Sequence, residues 1–272
     1  MSLIANFMRY QYVPPATDSR LDHMGTYKRT LPVALERMYE NALDWEHLPH
    51  LHSSSFQSIS LLDGGAWGWR AEVTGARASS ILELHLDRDC RRWITRNLEG
   101  PSKGAEIWTH VFVTEPRQLD LVIDFFVPGV PREKREKLGR AYATQYETLY
   151  DEDVWMMTER QRQLDLRVDG LYTDHVLEMP LPARAQLPLL ITMAGRNFMV
   201  NQHAEQWVVY PAACPHQLGP LTGELNAAGE VECPWHGYRF DVVSRHCTTG
   251  AACRLGKVPS LQVTKQGLAL RL

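Results

Sequence analysis

Two short loops in the last third of the chain restrict its fold more than any other feature: Cys-Pro-His-Gln-Leu-Gly-Pro beginning at Cys214, and Cys-Pro-Trp-His-Gly beginning at Cys233. They offer Cys214 with His216 and Cys233 with His236, each pair held among prolines and glycines. Thiolates and neutral imidazoles are ligands for iron and zinc, while proline and glycine enforce turns. A structural zinc site uses the same residue types, but zinc fingers usually place one pair on a short helix. Both pairs here lie in turns of a strand-rich segment, which predicts a small β domain with the loops brought together.

A Cys-x-His pair followed by a Cys-x-x-His pair is the ligand set of a Rieske [2Fe–2S] centre, one iron taking both cysteines and the other both histidines. Residues 179–272 resemble the Rieske domain of Rieske non-haem iron oxygenases and their ferredoxins, with Cys-Pro-Trp-His-Gly followed by Phe240 and Asp241 as the most specific match. Respiratory-type Rieske proteins are similar but add a disulfide pair in the two loops and a serine after the second glycine. Gly219, Trp235 and Tyr238 stand at those positions here. Hydrogen bonds to the cluster raise its potential, so the missing serine implies a low-potential centre.

The chain has 272 residues, enough for one large or two modest domains. Hydrophobic residues at 44% and charged residues at 22% suit a soluble globular protein, and a net charge of -3 argues against a general nucleic-acid binder. Residues 1–12 lack a basic region followed by a long apolar core, so no signal peptide is expected, and no apolar run is long enough to span a bilayer. Cys90, Cys247 and Cys253 remain outside the loops. That odd remainder fits reduced thiols and a cytoplasmic location.

A second cluster lies near the other end. Residues 32–48 read as a helix that starts at Pro32 and carries Leu35, Met38, Ala42 and Trp45 at helical spacing, with Pro49 ending or distorting it. On it and its broken end sit Asn41, Asp44, His47, His50 and His52. Three histidines beside an aspartate can make an iron site, but helix geometry leaves open which two bind: His47 and His50 share a face of a regular helix, whereas His47 and His52 need a wider turn. The catalytic domains of Rieske oxygenases similar to vanillate demethylase and ketosteroid hydroxylase carry Asn-x-x-Asp-x-x-His-x-x-x-x-His. That resemblance selects Asn41, Asp44, His47 and His52.

Residues 1–30 suggest an irregular or short edge element. Residues 56–127 alternate as strands, with Leu119, Leu121, Ile123 and Phe125 opposite Asp120 and Asp124, and Trp67, Trp69, Ala71 and Val73 on one face. A long helix over residues 132–163 would cover this sheet with the stripe Leu138, Tyr142, Tyr146, Leu149, Asp153 and Met156. A carboxylate on a buried stripe is costly unless paired or metal-bound. Asp153 would therefore complete a two-histidine, one-carboxylate iron site, with Asp151 opposite and Glu152 at the margin. The family resemblance extends to Glu159 and Gln161. Two apolar runs around Ala194 and Gly195 predict a hairpin leading to the first cluster loop.

These elements predict an α+β protein: a helix-grip, START-like catalytic domain over residues 1–165, a linker over 166–182, and a small all-β Rieske domain over 183–272. The resemblance implies a terminal oxygenase component. Its cofactors would be a [2Fe–2S] cluster at Cys214, His216, Cys233 and His236, and a mononuclear Fe(II) at His47, His52 and Asp153. Dioxygen and a small, largely apolar organic substrate would react there, by hydroxylation or demethylation. By the same resemblance Asp44 bridges His47 to a cluster histidine, His236, and Asn41 lies near the iron. Most relatives place the Rieske domain first, and this chain reverses the order, although a linker of about fifteen residues can extend roughly 50 Å. A homotrimer is expected, and electrons from a separate NAD(P)H-dependent reductase or ferredoxin, since no flavin or nicotinamide fingerprint is present. Two other readings use the same residues differently: a Rieske electron carrier fused to a ligand-binding domain without catalytic iron, and a zinc-stabilised interaction protein. Trp67, Trp69, Trp108 and Phe125 are the apolar residues first expected to line a pocket.

Overall fold

The computed structural model describes residues 21–75, 78–169 and 175–272, which divide into two compact units between Thr158 and Glu159. The expected domain limit at residue 165 falls beyond that division, inside a helix that continues to Asp169. Among the described residues no helix is long and apolar enough to cross a membrane.

In the first unit, β1 (Leu21–Leu31), α1 (Leu35–Leu43) and α2 (Leu48–Leu51) precede six strands: β2 (Ser58–Gly65), β3 (Gly68–Thr74), β4 (Ser79–Asp87), β5 (Arg92–Glu99), β6 (Glu106–Glu115) and β7 (Gln118–Pro128). The long helix α3 (Arg132–Asp169) follows. Strands β2 to β7 form an antiparallel meander, and β1 closes its far edge beside β7. The opening element expected to be irregular or short is thus an eleven-residue strand over its described part.

The strand period works as the sequence predicts: Leu119, Leu121, Ile123 and Phe125 are buried on one face and pack beneath Leu138, Tyr142 and Tyr146 of α3. Phe125 stacks on Tyr142 with ring centroids 5.2 Å apart. Gly139 lets α3 approach β1 closely, because a Cβ there would lie 2.2 Å from the Met24 carbonyl oxygen. The result is an antiparallel sheet gripping a long helix, as expected from the pattern.

The helix predicted over residues 32–48 is instead broken. It begins at Leu35 and ends at Leu43, Asp44 leaves helical geometry with ψ 80°, and a 3-10 turn at Trp45–His47 leads into α2. Pro49 lies in the first turn of α2, where its missing N–H is no loss. It opens a second helix rather than ending the first.

The second unit is built of small sheets: β9 (Leu189–Met193), β10 (Arg196–His203) and β11 (Gln206–Pro211); β12 (Glu230–Glu232) with β13 (Arg239–Asp241); and β14 (Ser260–Thr264), β15 (Gly267–Arg271) and β8 (Val176–Met179). The predicted hairpin turns at Ala194 and Gly195, both with positive φ. Ile191, Phe198, Val200, Leu268 and Leu270 form the core between sheets. The linker expected over 166–182 contains the end of α3 and all of β8, with residues 170–174 outside the described part.

Candidate metal centres

The two cysteine loops are near copies of each other. In the first, the Cys214 amide donates to the Gly219 carbonyl at 2.8 Å and the Leu218 amide donates to the Cys214 carbonyl at 3.0 Å. In the second, Cys233 donates to Tyr238 at 2.8 Å and Gly237 donates back to Cys233 at 2.9 Å. The residue four after each cysteine, Leu218 or Gly237, takes positive φ. This winding turns the next amides inward: those of His216 and Gln217 donate to the Cys214 sulfur, and those of Trp235 and His236 to the Cys233 sulfur. Such nests of N–H groups stabilise negative charge.

The side chains segregate by type. Cys214 and Cys233 are buried and within hydrogen-bonding reach of each other, which raises one thiol and lowers the other. The His216 and His236 rings lie 4.6 Å apart at 77°, with the Tyr238 ring 4.9 Å from the first and 5.9 Å from the second. Sulfurs together and imidazoles together is what a two-iron cluster needs. A single tetrahedral zinc would need all four donors about one point. Among the described residues, the group whose donor atoms all lie within 4.8 Å of one another is a different one, His47, His52 and Asp153. Gly219 completes the cradle, since a Cβ there would lie 2.8 Å from both the Cys233 sulfur and the Trp235 ring.

In the first unit, the break at Asp44 lets His47 and His52 meet despite their five-residue spacing. Their rings pack edge-on with centroids 5.1 Å apart, while His50 is exposed. Asp153 of α3 reaches the same point: its Oδ1 lies 3.1 Å from His52 Nε2 and 3.5 Å from His47 Nε2. All three residues are at least nine-tenths buried. Burial would raise the Asp153 carboxyl, but hydrogen bonds from His47 and His52 outweigh it and hold it well below the carboxylate range. Burial likewise opposes charge on His52, and its bonds to Asp153 and Glu152 raise it nonetheless.

Each of the three has a further partner. Asn41 Nδ2 donates to Asp153 Oδ1 at 2.8 Å, Asp44 Oδ2 stands 3.8 Å from His47 Nδ1, and Glu152 Oε2 bonds His52 Nδ1 at 2.6 Å. The Asp44 carboxylate thus stands beside His47 Nδ1, beyond hydrogen-bonding distance. Glu152, set aside at the margin of the stripe, is the site residue that sequence reasoning missed. Its place beside Asp153 was the available signal, while Asp151 turns outward to Arg29.

A cavity of about 120 Å³ opens onto this group. Trp69, Leu82, Leu84, Trp93 and Tyr150 are among its walls. Burial holds Tyr150 far above its ordinary range, with the Asp153 charge adding to it, so its phenol stays neutral. Of the four aromatic residues expected around a pocket, Trp69 lines it. Trp67 lies in the β2–β3 turn, Phe125 in the core beneath α3, and Trp108 in a small cluster with Ile94 and Phe126.

Residues 174–262 match the family model described as the Rieske [2Fe-2S] domain. The C-terminal part of the chain is therefore a Rieske domain, and its cysteine and histidine loops suit the cluster that defines it. No curated protein matches the sequence. Solved structures similar to this chain include a START superfamily protein from Mycobacterium smegmatis, 16% identical over 53% of this chain and 99% of its own, with a TM-score of 0.42. The Zhui aromatase/cyclase from Streptomyces sp. R1128 is 15% identical over 53% and 98%, with a TM-score of 0.43. Norcoclaurine synthase from Thalictrum flavum is 13% identical over 54% and 93%, with a TM-score of 0.40.

Proposed function

We propose that the chain is the terminal component of a Rieske non-haem iron oxygenase, with a mononuclear iron(II) at His47, His52 and Asp153. The observation that carries this reading is the convergence of those three buried donors within 4.8 Å, in a chain that also has a Rieske domain. Two histidines and one carboxylate are the ligand type of non-haem iron oxygenases. When bound, the cluster would supply single electrons and the iron(II) would supply dioxygen activation.

The chain's own residues do the positioning. Glu152 takes the Nδ1 side of His52 and leaves Nε2 facing Asp153, and Asn41 holds the shared carboxylate oxygen. Apolar walls keep water from the donors, and Tyr150 adds a neutral hydroxyl near the site. The cavity is smaller than the roughly 300 Å³ at which ligand pockets usually begin. A substrate beyond a few heavy atoms therefore requires side chains to move, and a small, largely apolar molecule is favoured for hydroxylation or demethylation.

Electrons come from a separate reductase or ferredoxin. In a homotrimer, Asp44 would bridge His47 to His236 of the partner subunit and join the two centres.

Iron and acid-labile sulfide counted per purified chain test the proposal. Three irons to two sulfides are expected. Two irons to two sulfides would leave an electron carrier fused to a ligand-binding domain, and a colourless zinc protein would remove both readings.

A further inference from the structure

Two of the cysteines outside the cluster loops, Cys247 and Cys253, face each other. After β13 the chain doubles back so that His246 pairs antiparallel with Arg254, and the Cys247 amide donates to the Cys253 carbonyl at 3.3 Å. Cys247 and Cys253 are therefore the next opposed pair. Opposed residues in an antiparallel pair have Cα atoms about 4.5–5.5 Å apart, and a disulfide spans roughly 4.4–6.8 Å. The two ranges overlap, and the two sulfurs already lie within hydrogen-bonding reach of each other.

Their surroundings differ in a useful way. Partial burial would raise the Cys247 thiol, but the Thr249 hydroxyl, the Thr249 and Ala251 amides and the Cys253 thiol outweigh it and draw it below the usual range. The Thr249 Oγ1 lies 3.2 Å from the Cys247 sulfur. The Cys253 sulfur stands against Cys247 and, among the described residues, has no such hydroxyl beside it in its own turn, and burial raises its thiol. Both side chains are partly exposed. One sulfur is thus prepared to attack and the other to resolve.

We infer that Cys247 and Cys253 form a redox-active dithiol that hydrogen peroxide converts to an intrachain disulfide. The Cys247 thiolate attacks one peroxide oxygen and the O–O bond breaks, leaving a sulfenic acid on Cys247 and hydroxide, which takes up a proton to become water. The Cys253 sulfur then attacks the Cys247 sulfur: the S–S bond forms, the S–O bond breaks, and the oxygen leaves as a second water with the Cys253 proton. Two thiols lose two electrons in total, and one peroxide becomes two waters. The pair is tied to the second cluster loop's exit, because Cys247 bridges Phe240 and the Thr248 amide donates to the Arg239 carbonyl at 2.8 Å. The inference is independent of the mononuclear iron.

The test uses the full chain with its cluster, exposed to a small excess of peroxide, blocked with N-ethylmaleimide and cut with trypsin. Residues 246–254 leave as one peptide carrying both cysteines. That peptide is expected to be lighter by two hydrogens and unlabelled, and to take two maleimides after reduction. Cys253→Ser should leave a sulfenic acid on Cys247 that dimedone traps, and Cys247→Ser should slow oxidation of Cys253 by about ten-fold or more. Doubly labelled peptide after peroxide, pairing of either cysteine with Cys90 or a cluster cysteine, or equal oxidation rates in the two variants would each overturn the inference. The wild-type measurement needs no variant to fold.

Discussion

The two candidate metal centres are assembled by opposite means. At the Rieske loops the backbone does most of the work: two turns of the same winding aim paired amides at each cysteine sulfur, and the ligands are only a few residues apart within each loop. At His47, His52 and Asp153 the side chains do the work. A helix break supplies two donors, a helix a hundred residues later supplies the third, and Asn41 and Glu152 hold the outer faces. A backbone-built site tolerates changes in neighbouring side chains, whereas a side-chain-built site depends on each partner.

The largest effect should come from separating the centres by mutation. Asp153→Ala should take mononuclear iron from stoichiometric to background and leave the visible cluster spectrum intact. Cys214→Ser should do the reverse, abolishing that spectrum while cobalt(II), used as an optical probe, still binds the first unit. Metal analysis with absorption spectra checks both. Loss of both metals in either variant would show that the sites are not independently built.

Next in size is Asp44→Ala. On the proposed bridging role both centres should assemble, and the rate at which substrate and dioxygen reoxidise the reduced cluster in a single turnover should fall about 100-fold. Reoxidation at the wild-type rate would end the bridging role. A fall in iron content instead would make Asp44 a partner of His47 alone, at the 3.8 Å now separating them.

Gly219→Ala probes the backbone-built side. The added Cβ would press on the Cys233 sulfur and the Trp235 ring, both in a fully packed setting. A cost of about 1–3 kcal/mol is expected. It should appear as lower cluster occupancy and a lower melting temperature, with cobalt(II) binding in the first unit unchanged.

The contrast also explains what could be read from the chain. The Rieske loops were legible because their ligands and turn-forming residues are contiguous, and the sheet was legible because Leu119, Leu121, Ile123 and Phe125 alternate without interruption. The course of residues 32–52 was not. Helical spacing from Leu35 to Trp45 gives no sign of a stop at Leu43, and Pro49 serves a first turn as readily as it ends a helix. That break sets the distance between His47 and His52, so spacing left their pairing open and a family resemblance had to select it. Glu152 escaped for a related reason. Helical periodicity ranks residues by face and puts a carboxylate one position off the stripe at the margin, although long side chains reach around a helix.

Glu152 therefore gives the mildest and sharpest test of the side-chain-built site. It bonds His52 Nδ1 at 2.6 Å, which fixes the ring and leaves Nε2 toward Asp153. Partners of this kind change metal affinity by about 10–100-fold when removed. The Glu152 side chain is 33% exposed, so water can replace part of the contact, and the lower end of that range is expected. Glu152→Ala should weaken cobalt(II) binding by about ten-fold. Glu152→Gln keeps an acceptor for Nδ1–H and should recover most of the loss, leaving the ligand-field bands in place. His47→Ala, which removes a donor outright, should abolish binding and serves as the control. If Ala and Gln at 152 behave alike and match wild type, His52 is oriented by packing against Phe56 and its other neighbours, and the outer partners matter less than the donors themselves.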